Sequence, residues 1–181
     1  MRIIAGEWRG RRLRAPKDDV VRPTGDRARE AWMSILQPRI PGARVVDLFA
    51  GSGALGLEAL SRGAASADFV EQSATGLRAI QENGDALGAT SRMRVHRADA
   101  MRFVKKLSPY AYDIAFADPP YRQGFAQALA QCWLREPFAR VLSVEHDAHE
   151  ELPPGGDRRT YGGTAITIYD VKAMPAAEPN D

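Results

Sequence analysis

Along most of this chain, short apolar runs alternate with stretches whose apolar residues recur at three- and four-residue spacing. The first such stretch covers residues 25–37, where Ala28, Ala31, Trp32, Ile35 and Leu36 share one helical face. Thr24, following Pro23, is placed to cap its start, and Pro38 and Pro41 end it. The pattern then predicts strands at 44–49, 67–71, 93–97, 112–117 and 139–145, separated by helices at 54–62, 74–87, 100–107 and 124–134. In the last helix Phe125, Leu129, Cys132 and Trp133 repeat at helical spacing. The end differs: residues 158–161 and 164–171 flank Gly162-Gly163, a two-residue hairpin signal. Strands alternating with helices imply a parallel sheet covered on both faces. The expected architecture is a doubly wound, mostly parallel seven-stranded α/β sheet that ends in an antiparallel hairpin.

Candidate chemistry lies where the strands end. The run Arg44-Val45-Val46 leads into Asp47-Leu48-Phe49-Ala50-Gly51-Ser52-Gly53-Ala54-Leu55-Gly56, with Gly51, Gly53 and Gly56 in G-x-G-x-x-G spacing between strand and helix. Glycines there permit a tight turn and close backbone approach to a nucleoside, without saying which one. Two acids narrow the choice. Glu71 ends the next strand, beside Gln72, where a carboxylate can accept from both ribose hydroxyls. Asp47 stands at the lip of the loop, where it would repel a pyrophosphate but suit a ligand bearing an ammonium and a sulfonium. S-adenosyl-L-methionine is such a ligand. Asp99, with the amide of Ala100, is placed to read the amino edge of an adenine; it equally suits an N-cap, and the two roles are compatible.

The strand at 112–117 ends in Asp118-Pro119-Pro120-Tyr121. Both prolines have fixed φ, and Pro119 holds Asp118 extended. Asp118 and the Pro119 carbonyl can accept the two protons of a planar amino group while Tyr121 stacks on its ring. An amine conjugated to a heterocycle is a poor nucleophile, so its orientation matters. Alone, the tetrapeptide would also fit a Pro-Pro turn; downstream of a nucleoside loop it fits an amino-group shelf.

Charge adds a partner. Net charge is only +2, but residues 1–17 carry Arg2, Arg9, Arg11, Arg12, Arg14 and Lys17 against Glu7 alone, with Arg22, Arg27 and Arg29 beyond. Ile3-Ile4 and Leu13 around Gly6 and Gly10 suggest a short β-hairpin, with Trp8 as a stacking face among the guanidinium groups. Such an arm suits an RNA backbone. At 181 residues and 44 % hydrophobic, the chain can bury a core unaided. Cys132 is the lone cysteine, so no internal disulfide forms. With no apolar leader and no long apolar run, a cytoplasmic protein without membrane contact is expected. His96, His146 and His149 make no convincing metal set, and none is expected.

Over about 43–171 these motifs resemble the class I, Rossmann-like methyltransferases. The segments Arg2-Ile-Ile-Ala-Gly6, Arg9-Gly-Arg-Arg-Leu13, Arg22-Pro-Thr24 and Arg27-Ala-Arg-Glu30 resemble, more narrowly, the bacterial 16S rRNA guanine-N2 methyltransferases of the RsmD type. The resemblance implies methyl transfer from S-adenosyl-L-methionine to N2 of one guanine, in an assembled or assembling small ribosomal subunit, by a monomer. It implies cofactor contacts from Asp47, Phe49, Ala50, Gly51, Gly53, Glu71, Gln72, Asp99, Ala100 and Asp118. Amine presentation would fall to Asp118, Pro119, Pro120 and Tyr121, and RNA contact to Arg9, Arg11, Arg12, Arg14, Arg22 and Arg27. Residues 1–23 would form a basic hairpin extension, 24–172 the catalytic domain and 173–181 a loose tail. Trp32-Met33 departs from the family pattern in bulk, which touches packing only. Three alternatives remain: a DNA adenine-N6 methyltransferase using the same shelf, a non-catalytic RNA-binding assembly factor, and an NAD dehydrogenase. The first usually needs a recognition domain for which this chain has no room. The second leaves Asp118 and Tyr121 unexplained, and the third leaves the prolines unexplained.

Overall fold

Seven strands hydrogen-bond in the order β3-β2-β1-β4-β5-β7-β6. They are β1 (Arg44–Leu48), β2 (Ser66–Glu71), β3 (Met93–Arg97), β4 (Tyr112–Ala117), β5 (Ala139–Asp147), β6 (Asp157–Tyr161) and β7 (Thr164–Asp170). The first five run parallel; β7 is antiparallel to both β5 and β6. The computed structural model describes residues 1–16 and 25–173, with the backbone alone for 25–27. The cap expected at Thr24 and the tail beyond Ala173 lie outside the described residues.

Alternation along the central strands builds two cores, because successive side chains point to opposite faces. Val45, Phe69, Ile114, Phe116, Val141 and Ile166 face one layer, made by α1 (Gly25–Leu36), α2 (Ala54–Ser61) and α3 (Ala74–Leu87). Val46, Leu48, Val70, Ala115, Ala117, Leu142 and Val144 face the other, under α4 (Ala100–Val104) and α5 (Phe125–Arg135). The bulky pair Trp32-Met33 is buried in the first layer: Trp32 Nε1 donates to Ser143 Oγ, and its ring meets Phe116 edge-on at 6.1 Å. The second layer is filled by Trp133, Phe138 and Tyr169.

Two element ends lie two or more residues from the sequence expectation. The helix expected at 100–107 stops at Val104, because Lys106 and Leu107 donate to carbonyls three residues back, a tighter turn. Strand β5 runs two residues longer than expected because β7 pairs with its end, His146 to Ala165 and Asp147 to Thr164.

Residues 1–14 fold back as a narrow antiparallel arm bridged at Arg2 and Arg12. Its apolar side chains Ile3, Trp8 and Leu13 enter the first core. The buried Glu58 of α2 anchors it by accepting from the amides of Ile4 (2.7 Å) and Ala5 (3.0 Å), while Arg62 Nε balances the charge at 2.8 Å. Gly6 is required here: its φ is +86°, and a Cβ would lie 1.9 Å from the Ser61 carbonyl oxygen.

Gly56 sets how closely α2 approaches β2. A Cβ there would lie 2.4 Å from Cε1 of the fully buried Phe69. Gly56→Ala is therefore expected to destabilise the protein by about 1–3 kcal/mol through overpacking. Thermal unfolding should show a loss of roughly 2–4 °C per kcal/mol. Gly163→Ala, which meets nothing within 4 Å, should change little.

Candidate active site

The order of strands reverses between β1 and β4. The chain runs outward from β1 to β2 and β3, then returns to place β4 on the other side. Loops leaving the carboxyl ends of β1 and β4 therefore part, and the crevice between them is where open α/β sheets take ligands. Leu48 and Ala117 are in register at this point, so Phe49 and Asp118 are the next residues on its two banks.

Three unusual backbone conformations shape the first bank: Phe49 (φ +59°), Gly51 (φ +54°) and Gly53 (φ +78°). A left-handed aromatic is costly and persists where the surroundings hold it. Here its ring packs on Phe125 at 5.4 Å, tying the loop after β1 to the helix after β4. Glu71 fixes the loop from the other direction. Its Oε2 accepts from Gly51 N at 2.8 Å, and its Oε1 accepts from the amides of Gln72 (2.9 Å) and Ser73 (2.7 Å).

Asp47 is 1 % exposed, so it sits beneath the loop and not at the lip expected from sequence. The N-terminus of α2 draws it in: Oδ2 accepts from the Gly56 amide at 2.9 Å. Burial pushes its carboxyl well above the usual carboxylate range; the Gly56 bond opposes this, and the nearby charges of Asp118 and Glu71 add to it. Asp47 thus feels the charges of both Glu71 and Asp118 across one crevice. At the end of β3, Asp99 caps α4 by accepting from Arg102 N at 2.8 Å, with Ala100 buried beside it.

On the second bank, Asp118 is exposed, Pro119 is buried and Pro120 is exposed. The Tyr121 ring is held by its hydroxyl, which lies 2.7 Å from Glu145 Oε1 and 2.9 Å from Thr164 Oγ1. Burial and the charges of Glu145 and Asp118 raise the phenol well above its ordinary value, so it stays protonated. Arg122 follows with φ +61° and donates from Nε to Asp147 at 3.0 Å. His149, through its amide and ring, and Arg122 hold the Asp147 carboxyl down at about 2. That clamp's stabilisation is complete above the ordinary carboxylate range and is lost as pH falls through about 2.

The arm's aromatic requires a correction. Trp8 is only 7 % exposed, so it does not present a stacking face; it packs in the core under the Arg92 guanidinium, 4.9 Å from the ring centroid. Arg9, Arg11, Arg12 and Arg14 are all exposed. Arg11 donates to the Ala86 carbonyl and Arg14 pairs with Glu82. Arg22 and the side chain of Arg27 lie outside the described residues. A second basic surface runs along the β3 edge and α4, where Arg94, Arg97, Arg102, Lys105 and Lys106 are exposed.

Three contributors escaped the sequence reading. Glu145 and Thr164 carry Tyr121. Asn83, buried on α3, bonds the Arg14 backbone at both its amide (2.8 Å) and carbonyl (2.9 Å), and also the Ser52 carbonyl (2.9 Å). It joins the arm to the glycine loop. A signal for Glu145 did exist: an acid alternating with Leu142 and Val144 in a strand buried on both faces.

Comparison with known proteins agrees with this layout. A sequence model of the family described as conserved hypothetical protein 95 matches residues 1–170. The Escherichia coli K12 ribosomal RNA small subunit methyltransferase D is 40 % identical over 84 % of this chain and 78 % of its own length. Its Haemophilus influenzae namesake is 38 % identical over 81 % and 80 %. A hypothetical protein of Thermus thermophilus superposes with TM-score 0.80 at 32 % identity, covering 94 % of this chain and 99 % of that one. The Thermus thermophilus 16S rRNA N2 methyltransferase RsmC, solved with AdoMet and guanosine, shares the fold at TM-score 0.63 and 19 % identity, over 86 % of this chain and 45 % of that one. The chain belongs to the conserved hypothetical protein 95 family, the family of the ribosomal RNA small subunit methyltransferase D proteins.

Proposed function

We propose that this chain transfers a methyl group from S-adenosyl-L-methionine to the exocyclic N2 of one guanine in 16S ribosomal RNA, within the assembled or assembling small subunit. The observation that carries the reading is the meeting of Asp47, Glu71 and Asp118 at the switch point, next to a shelf locked by two prolines. Relatives at 40 % and 38 % identity carry the name of small-subunit rRNA methyltransferase, which supports both the reaction class and the RNA.

The donor set fits a cationic nucleoside. Glu71 and Gln72 would meet the ribose, Asp99 with the Ala100 amide the adenine edge, and Asp118 the positive groups, with Asp47 acting on them only through its charge from beneath the loop. Phe49, Ala50, Gly51 and Gly53 would form the floor. A dinucleotide fits poorly, because a helix N-terminus that would take its pyrophosphate is already filled by the Asp47 carboxylate on the Gly56 amide. When bound, S-adenosyl-L-methionine supplies an electrophilic methyl on a sulfonium and leaves as S-adenosylhomocysteine.

The protein's own part is orientation. Tyr121, held at its hydroxyl, walls the target base after it is unstacked. Asp118 and the Pro119 carbonyl accept from the amino group and aim the nitrogen lone pair, and Pro120 keeps that backbone rigid. Asp118 stands ready for the proton that the alkylated nitrogen releases. Arg9, Arg11, Arg12 and Arg14, with Arg22 and Arg27, supply phosphate contacts, and the cations of the β3 edge extend the basic surface.

Asp118→Ala and Tyr121→Ala are expected to lower methyl transfer to small subunits by on the order of a hundredfold or more, through lost alignment. For Tyr121→Ala, which faces only the target base, S-adenosylhomocysteine affinity read by calorimetry should stay within a few-fold. Full turnover of Asp118→Ala would make the shelf an ordinary turn. For the arm, Arg9→Ala with Arg12→Ala should cut the salt slope of RNA binding by roughly 0.7–0.9 for each phosphate no longer neutralised. An unchanged slope would place the RNA grip elsewhere.

A further inference from the structure

An amino-group shelf does not by itself say which purine is methylated. Guanine N2 and adenine N6 are both planar amines, and Asp118 with the Pro119 carbonyl could accept from either. The two bases differ next door. Beside its 2-amino group guanine carries N1–H, a donor, whereas adenine's N1 beside its 6-amino group is an acceptor. A fixed acceptor placed next to the shelf would therefore welcome one base and face a lone pair on the other.

Glu145 is in that position. Val144 of β5 is in register with Ala117, the last residue of β4, where adjacent strands lie about 4.8 Å apart, and Glu145 and Asp118 are the next residues of the two segments. The Tyr121 hydroxyl, 2.7 Å from Oε1, joins its carboxylate to the ring that walls the base, and Thr164 braces the same hydroxyl. Glu145 is half-buried, where a hydrogen bond to a carboxylate counts for more than in water. A carboxylate offers roughly four acceptor sites, so one that the Tyr121 hydroxyl helps to orient can accept from several donors at once.

We propose that Glu145 is the specificity-determining residue of this site, accepting the guanine N1–H while Asp118 and the Pro119 carbonyl hold the 2-amino group. The inference rests on the guanine-N2 reading and deepens it: the shelf presents the amine, and Glu145 admits only a purine with a donor beside it.

The test uses the full chain and small subunits reconstituted with rRNA that carries, at the position located by nucleoside analysis, either guanine or 2,6-diaminopurine. The analogue keeps the 2-amino nucleophile, replaces N1–H by a lone pair and exchanges the C6 oxygen for an amine, so the change of ratio in the variant is the reading that reports on N1. The unsubstituted protein should prefer guanine by roughly tenfold to a hundredfold in kcat/KM, the usual range for one good base-edge contact. Glu145→Gln retains an acceptor for the Tyr121 hydroxyl and can also donate to the analogue's N1, so the preference should collapse toward unity. Unchanged S-adenosylhomocysteine binding by that variant will show that it is folded. A purely supporting role for Glu145 would slow both bases equally and leave the ratio intact. Methylation at guanine N2 with an unchanged ratio overturns this inference alone. Methylation of a different base or atom overturns the guanine-N2 reading, and this inference with it.

Discussion

Like charges crowd the mouth of this sheet. Asp47, Glu71 and Asp118 converge where the strand order reverses, and Asp47 is almost completely buried. Burying a carboxylate among others is unfavourable, and the fold meets the cost with backbone donors: Gly56 for Asp47, and Gly51, Gln72 and Ser73 for Glu71. Those same bonds fix the glycine loop. The acids are thus at once the frame of the loop and an electrostatic environment that a positive ligand relieves. The proposed ligand follows from this arrangement, since the N-terminus of α2 is occupied by Asp47 and the flanking acids Glu71 and Asp118 favour a cation.

The amino-terminal arm belongs to the same construction. Its apolar residues complete the first core, Glu58 and Ser61 hold its backbone, and Asn83 links Arg14 to Ser52 in the glycine loop. A load on the arm is therefore felt one hydrogen-bonded residue away from the candidate cofactor floor. On the other bank, Asp147, itself held by His149, clamps the loop that carries Tyr121 through Arg122. Both banks of the crevice are braced from elements distant in sequence, which suits a site whose chemistry is alignment.

Local patterns made much of the fold legible. The strand and helix alternation gave the sheet and the glycine spacing gave the turn between β1 and α2, because each rests on near neighbours in the chain; Asp118-Pro119-Pro120-Tyr121 is equally local, and the shelf proposed for it is read from those four residues. What the sequence concealed depends on partners far away. Trp8 reads as exposed among arginines, yet Ser61, fifty-three residues on, accepts its amide and turns it inward. Asp47 reads as a lip residue until α2 folds back and offers Gly56. Glu145 reads as a strand end until β7 pairs alongside and brings Thr164 to Tyr121. Glu58, an acid in an otherwise apolar helix, is explained only by the arm amides that it accepts.

In this reading, carboxylates that meet at the switch point, with only Asp47 buried among them, select a cationic nucleoside. Calorimetry of the full chain with S-adenosyl-L-methionine and with NAD, from acid to neutral pH, tests it most directly. Because Asp47 has a raised carboxyl that a cation would favour in its ionised form, binding should strengthen as pH rises through its titration and release a proton to buffer. S-adenosyl-L-methionine should bind with that pH dependence, Asp47→Asn should abolish the dependence, and NAD should give no response. NAD binding, or S-adenosyl-L-methionine affinity that is indifferent to pH and to Asp47→Asn, would contradict it.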